Sequence, residues 1–280
     1  MGTSSDLHAD TSGVDDLQWT LQTFAAKWSD AGLQSGDTVL LHSNVVRTIR
    51  TMRKSGHRSA TANTLLASFR AALGPEGTLV LPVFNFDFTQ GAPFDVRHTP
   101  SQMGALTEAG RLSPGTIRTG HPIYSFAALG RHADRFCAID NRSGYGPDSP
   151  FATLRELDGT IAVLDLPDQD SMTFYHHVEE MENVPYRYHK TFQGSYTDWS
   201  GLTDTREYSL FVRNLELGVE THVWPMEEHL WRTGLYHGDR PGEGSGLRTV
   251  HARSLYDAVV EVIRDGKASE FLYKVRRADG

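Results

Sequence analysis

Apolar positions along the chain switch between two periods. Leu17, Leu21, Phe24, Ala25 and Trp28 fall on one helical stripe and predict a helix over residues 14–31, with Gly32 as its C-terminal cap. An apolar run of strand length follows at 37–45 (DTVLLHSNV) and ends in a polar trio, His42, Ser43 and Asn44. The stripe Leu65, Leu66, Phe69 and Leu73 predicts a helix over 59–73, stopped by Gly74 and Pro75. Residues 78–84 (TLVLPVF) are too uniformly apolar for an exposed edge and read as a mid-sheet strand. A loop rich in Phe, Asp and Pro (85–100), placed to wall a pocket, leads to a helix at 101–112 and a strand-like run at 121–129. Ser149 as N-cap and Pro150 at the first helical position open a helix to 157. It delivers a buried strand at 161–166, a short polar turn, and a helix capped by Asp170 or Ser171.

Beyond residue 182 the pattern changes. Residues 186–199 and 206–212, rich in aromatic and β-branched side chains, flank Gly201 as an antiparallel ribbon would. Pro225 starts a helix at 224–232, and 254–264 is a last amphipathic helix. The expected fold is α/β: a central mixed sheet with parallel crossovers and flanking helices in the first two thirds, then an antiparallel ribbon and helices in the last third. No linker or repeat divides residues 14–280, which read as one domain behind a leader at 1–13 expected to be disordered.

Composition narrows the function classes. With 39% hydrophobic and 22% charged residues the chain is an ordinary soluble globular protein, and its formal net charge of -8 argues against a nucleic-acid partner while suiting a cationic small molecule. The only cysteine, Cys137, excludes an internal disulfide. No apolar run reaches the length of a membrane span and the first residues lack a signal peptide's features, so a cytoplasmic protein with no membrane partner is expected.

Candidate chemistry concentrates in residues 164–181 (LDLPDQDSMTFYHHVEEM). Thr173, His176 and Glu180 stand at i, i+3 and i+7, and Glu179 lies three residues after His176, so a hydroxyl, an imidazole and carboxylates share a helix that starts at a strand's carboxyl end, where open α/β sheets bind ligands. A metal-dependent hydrolase built from His176, Glu180 and His177 is a rival reading, although no complete HExxH motif is present. Arg47, Arg50, Arg53, Lys54 and Arg58 form a basic cluster in an acidic chain, either a phosphate site or a solvated face.

The segment MGALTEAGRLSPGTIRTGHPIYSFAALGRHA (103–133), above all HPIYSFAALG at 121–130, resembles the signature of the aminoglycoside 3-N-acetyltransferases, an antibiotic acetyltransferase family unrelated in fold to the GNAT enzymes. LLHSNV, GPEGTLVLPVFNF and YGPDSPFATLRELDG resemble further segments of that family, and the likeness runs from Leu40 to Glu180. The family's His-Asp-Ser-Asn-Thr-x-x-His-x-x-Glu stands here at 169–179, with Gln169 and Met172 as departures. The resemblance implies transfer of an acyl group, usually acetyl, from coenzyme A to an amine. His176 is then the general base, Glu179 its acidic partner and Thr173 the oxyanion donor; a metal is not implied. His42, Ser43, Asn44, Arg47, Arg50 and Ser125 are the expected coenzyme A contacts, and Asp170, His121 and Tyr124 the acceptor contacts. The acceptor class is an amine-bearing small molecule such as an amino sugar, an aminoglycoside-like compound or a biosynthetic intermediate, and Gln169 and Met172, expected at the acceptor side, turn specificity away from a standard aminoglycoside. A carrier-protein-bound acyl donor, a ligand-binding homologue without turnover and a homodimer stay open.

Overall fold

The order of strands follows from which runs can be buried on both faces. In a computed structural model, which describes residues 12–137 and 139–276, the strands are β1 (Thr38–Ser43), β2 (Thr78–Pro82), β3 (Phe94–Asp95), β4 (Ile117–Arg118), β5 (Phe126–Gly130), β6 (Thr160–Leu164), β7 (Arg187–Thr197), β8 (Thr203–Arg213), β9 (Val219–Thr221), β10 (His237–Gly238), β11 (Leu247–His251) and β12 (Tyr273–Val275). The helices are α1 (Ser12–Asp30), α2 (Val46–Lys54), α3 (Ala62–Leu73), α4 (Ala105–Arg111), α5 (Asp134–Cys137), α6 (Pro150–Glu156), α7 (Phe174–Met181), α8 (Trp224–Arg232), α9 (Ala252–Arg264) and α10 (Ala268–Phe271). Most of the leader expected at residues 1–13 lies outside the described residues. Among those described, no helix is long and apolar enough to cross a membrane.

A seven-stranded mixed sheet runs β10-β11-β6-β1-β2-β5-β4, with β6, β1 and β2 parallel and the remaining pairs antiparallel. Alternation along its strands feeds two cores. Val39, Leu41, Leu79, Leu81 and Leu164 pack with Trp28 of α1 and Phe69 of α3 on one face. Leu40, Val80, Ile161 and Val163 pack with Phe151 of α6, Val178 of α7 and Val259 of α9 on the other. Trp28 is wholly buried, stacks on Phe69 at 4.5 Å and donates its indole N–H to Ser68 Oγ at 2.9 Å, so this large aromatic leaves no polar atom unmet. The ribbon's second strand extends further than its apolar pattern suggested, while the first is slightly shorter: β7 and β8 pair from Arg187↔Arg213 to Thr197↔Thr203, with β3 alongside the far end.

Element starts differ from the sequence reading for local reasons. Helix α3 begins at Ala62 because Thr61 and Thr64 form a reciprocal capping box, and α4 begins only after Gly104, whose φ of 104° suits glycine. The strand expected from residue 121 begins at Phe126, because His121 holds the preceding residues in a turn. Neither Asp170 nor Ser171 caps α7. Residues Asp168–Asp170 form a turn of 3-10 helix, Ser171 Oγ donates back to the Pro167 carbonyl at 2.7 Å, and Thr173 stands immediately before the helix.

Candidate active site

Strand β6 ends against a buried charge network that fixes the approach to α7. Asp168 and Arg248 of β11 have wholly buried side chains with Nη2 to Oδ1 at 2.5 Å, and the Tyr175 and Tyr236 hydroxyls also donate to the Asp168 carboxylate. Arg248 Nη1 donates to the Leu166 carbonyl at 2.6 Å, so one guanidinium ties the strand's end to the turn before the helix.

On α7, His176 Nδ1 lies 3.0 Å from Glu179 Oε2. A carboxylate can only accept, so Nδ1 carries the proton and Nε2 presents its lone pair. The imidazole keeps 20% of its side-chain surface open, against 2% for Glu179. Arg187 Nε, at the start of β7, stands 2.8 Å from the same Oε2. Burial lowers the His176 pKa from its ordinary value, the Arg187 charge lowers it further, and the Glu179 bond opposes both. For Glu179 burial pushes the pKa upward, but Arg187 and His176 outweigh it and the carboxyl titrates below its ordinary value. The ring of Tyr145 meets His176 edge-on at 5.2 Å, and His177 Nδ1 donates to the Tyr145 carbonyl at 2.7 Å, holding that residue in place. Tyr124 packs on Tyr145 at 4.8 Å, which brings this expected acceptor contact to the histidine's neighbourhood. The Thr173 hydroxyl is buried without a protein partner.

A cavity of 560 Å³ opens at the carboxyl ends of β1 and β2, the place where α/β sheets bind ligands. His42, Ser43, Asn44 and Asp170 line it, with Gln102 and Met103 from the loop before α4. Burial holds the His42 pKa down at about 4, so its ring is neutral, and its Nε2 and the Ser43 hydroxyl are buried without partners. The expected residues thus fall into two groups: a cavity set (His42, Ser43, Asn44, Asp170) and a dyad set (His176, Glu179, Tyr124), with Thr173 between Asp170 and His176 in the chain.

Several expected contacts have other duties. Ser125 is wholly buried, donating to the Val83 carbonyl and accepting from Arg118 Nε, and offers no surface to a cofactor. His121 is equally buried; its Nδ1 accepts from the Ile123 and Tyr124 N–H groups and its Nε2 donates to the Ser209 carbonyl, so both ring nitrogens are spent on shaping the turn that presents Tyr124. Arg47 ion-pairs with Asp165 at 2.9 Å and donates to the Gly244 and Glu243 carbonyls, which pins the 239–246 loop. The packing there is tight enough that a Cβ on Gly246 would overlap both Arg47 and Asp165. Arg50 is exposed on α2. Gln169 spends its amide on the Thr221 carbonyl and the Val223 N–H, and Met172 is core, so neither departure reports on the acceptor. The groups of the metal reading go to separate partners, His177 to Tyr145 and Glu180 to Ser143 at 2.7 Å.

His42, His121 and His177 are held neutral, with pKa values drawn down by burial to about 4, 3 and 4. Their unfolded counterparts take up protons near pH 6.5, so the stability present above that pH is lost as pH falls toward the folded values. Thermal midpoints measured from pH 8 to pH 4 are expected to fall steeply below about 6.5; a flat profile would contradict the neutral assignments.

The aminoglycoside 3-N-acetyltransferase family matches residues 50–264. The chain belongs to this family. Among curated relatives, aminoglycoside N(3)-acetyltransferase VII of Streptomyces paromomycinus is 29% identical over 177 residues, 55% of this chain and 58% of the relative. Aminoglycoside N(3)-acetyltransferase IV of Salmonella sp is 30% identical over 172 residues, 60% of this chain and 62% of the relative. The chain therefore spans 58% and 62% of the length of these two relatives. Among solved structures, AAC-IIIb in binary complex with CoASH superposes with a TM-score of 0.72 at 23% identity, over 88% of this chain and 96% of the other. AAC(3)-Xa gives 0.72 at 22%, over 92% and 98%. These likenesses define the fold: the mixed α/β sheet is that of the aminoglycoside acetyltransferases.

Proposed function

We propose that the protein transfers an acyl group, acetyl in the first instance, from coenzyme A to an amine of an aminoglycoside-type molecule. The observation that carries this reading is the His176–Glu179 dyad, whose carboxylate fixes the tautomer with Nε2 available as a base. The orphaned His42 Nε2 and Ser43 hydroxyl suit the amide-rich pantetheine arm, which would supply both donors and acceptors to them. Acyl-coenzyme A brings an activated thioester carbonyl. His176 Nε2 takes a proton from the amine as its nitrogen bonds to the carbonyl carbon and returns it to sulfur when the C–S bond breaks, leaving an amide and a thiol. Thr173 Oγ1–H is the donor assigned to the carbonyl oxygen, a type of contact worth about 3 to 4 kcal/mol where measured. The acceptor class is drawn from the family, whose relatives include AAC(3)-IVa variants in complex with apramycin and with a gentamicin, and the acidic balance of the chain agrees with a polycationic substrate.

A second reading of the donor rests on one observation: Arg50, Lys54 and Arg58 are exposed and have no carboxylate partner among the described residues, a face suited to an acidic acyl carrier protein. One assay tests both readings. Acetyl-coenzyme A with apramycin or gentamicin should release free thiol and yield a product heavier by one acetyl group, with an acidic limb of kcat/KM from His176 whose midpoint lies below the ordinary histidine value of about 6.5. No thioester consumption with any amine tried would end the proposal. A carrier-bound donor used far better than acetyl-coenzyme A, with an advantage that disappears at high salt, would favour the second reading.

A further inference from the structure

The proposed dyad has a third member, and it stands outside the motif. Arg187 and His176 approach the same oxygen of Glu179, at 2.8 Å and 3.0 Å, with 6% and 2% of the Arg187 and Glu179 side-chain surfaces exposed. Arg187 Nη1 also donates to the Phe211 carbonyl on β8 at 3.1 Å, so the ribbon holds the guanidinium in place. Glu179 is therefore shared between a permanent cation and an imidazole that is charged only part of the time.

We infer that Arg187 is a positioning residue that sets the basicity of His176 by taking up the charge of the carboxylate that holds it. This rests on the transferase reading above. With His176 neutral, the buried group of carboxylate, guanidinium and imidazole is balanced. Once His176 has taken the amine proton the same group carries one unpaired positive charge, which favours passing the proton on to the departing sulfur. A dyad without the arginine would leave the full carboxylate charge to the imidazolium, making the base stronger and slower to give its proton back. The lowered pKa of His176 agrees in direction. The other groups facing the pair are Tyr145 from the loop before α6, Tyr186 immediately before β7, and Arg213 on β8, which is opposite Arg187 in the ribbon register. The two tyrosines are neutral at working pH because burial raises both of their pKa values. Arg213 is exposed.

The test compares pH profiles of kcat/KM for Arg187→Gln and Arg187→Lys with the unaltered protein, using acetyl-coenzyme A and one fixed acceptor. In Arg187→Gln the acidic limb should move up by about one pH unit, while the Kd for coenzyme A changes less than about twofold, since Arg187 touches neither substrate in this reading. Arg187→Lys keeps the charge and should restore the limb to its original position even if kcat stays low. A lower kcat at every pH with the limb unmoved, or a limb moved downward, would overturn the inference and leave Arg187 as a brace for the ribbon. Should Arg187→Gln fail to fold, Arg187→Met, a neutral side chain of similar reach, takes its place, and NMR titration of the His176 ring decides: a ring that titrates higher than in the unaltered protein supports the claim, and an unmoved or lowered one refutes it. Absence of activity in the unaltered protein would defeat the transferase reading, whereas the ring titration tests the arginine independently of turnover.

Discussion

Replacing His176 with asparagine is expected to lower kcat by about two to four orders of magnitude while leaving coenzyme A affinity and folding largely intact. The amide has similar reach but cannot take a proton, so the loss falls on the chemical step and kcat and kcat/KM drop together. Neither His176 nor Glu179 is among the side chains that line the 560 Å³ cavity, so the donor's Kd should stay within about twofold. Steady-state kinetics with calorimetric binding of coenzyme A separates the two effects, and the acidic limb of the pH profile should vanish in the variant. Activity retained within about tenfold would remove His176 as base. His121 could not inherit the role, because both its ring nitrogens are engaged with backbone and the ring is sealed. Glu179→Gln is a less selective change here than a dyad alone would suggest, because it also strands the Arg187 guanidinium in a buried site.

The largest loss of stability is expected for Asp168→Asn, about 3 to 5 kcal/mol, the usual cost of removing one partner of a buried ion pair. Arg248 has no exposed side-chain surface on which to find water, and two tyrosine hydroxyls that donate to the same carboxylate would have to share a single amide oxygen. Urea denaturation monitored by tryptophan fluorescence reads the change. Glu227 lies 3.9 Å from Arg248 and, among the described residues, is the one other carboxylate in ion-pair range. A loss under about 1 kcal/mol would mean that it takes over.

What could be read from the amino-acid order divides along physical lines. Strand runs such as 78–84 and the Leu65–Phe69 stripe were legible because apolar periodicity records burial directly. Strand β11 was not: its Arg248 is a wholly buried cation, and only the partner Asp168, far away in the sequence, explains how it can be. The motif around residues 121–130 was visible as a motif, yet His121 and Ser125 turn inward. A distinctive string of residues shows that a position is constrained without showing whether its side chain faces ligand or core. Arg187 was lost among the polar residues of the ribbon. The available clue was charge: Glu179 is on the buried side of its helix and needs a cation, and Arg187 is the first cation that follows it.

The placement of β6 has a consequence for the order in which this molecule is assembled. Its two neighbours, β1 and β11, lie far from it on either side in the sequence, and the second is completed only at His251. During synthesis, the segment carrying His176 leaves the ribosome with its strand paired on one side only and Asp168 without Arg248. Closing so long a loop is entropically slow, and the contacts that reward it form late. Helix α7 therefore gains its full setting only once β11 has joined the sheet, because until then Asp168 lacks the Arg248 that it pairs with in the fold.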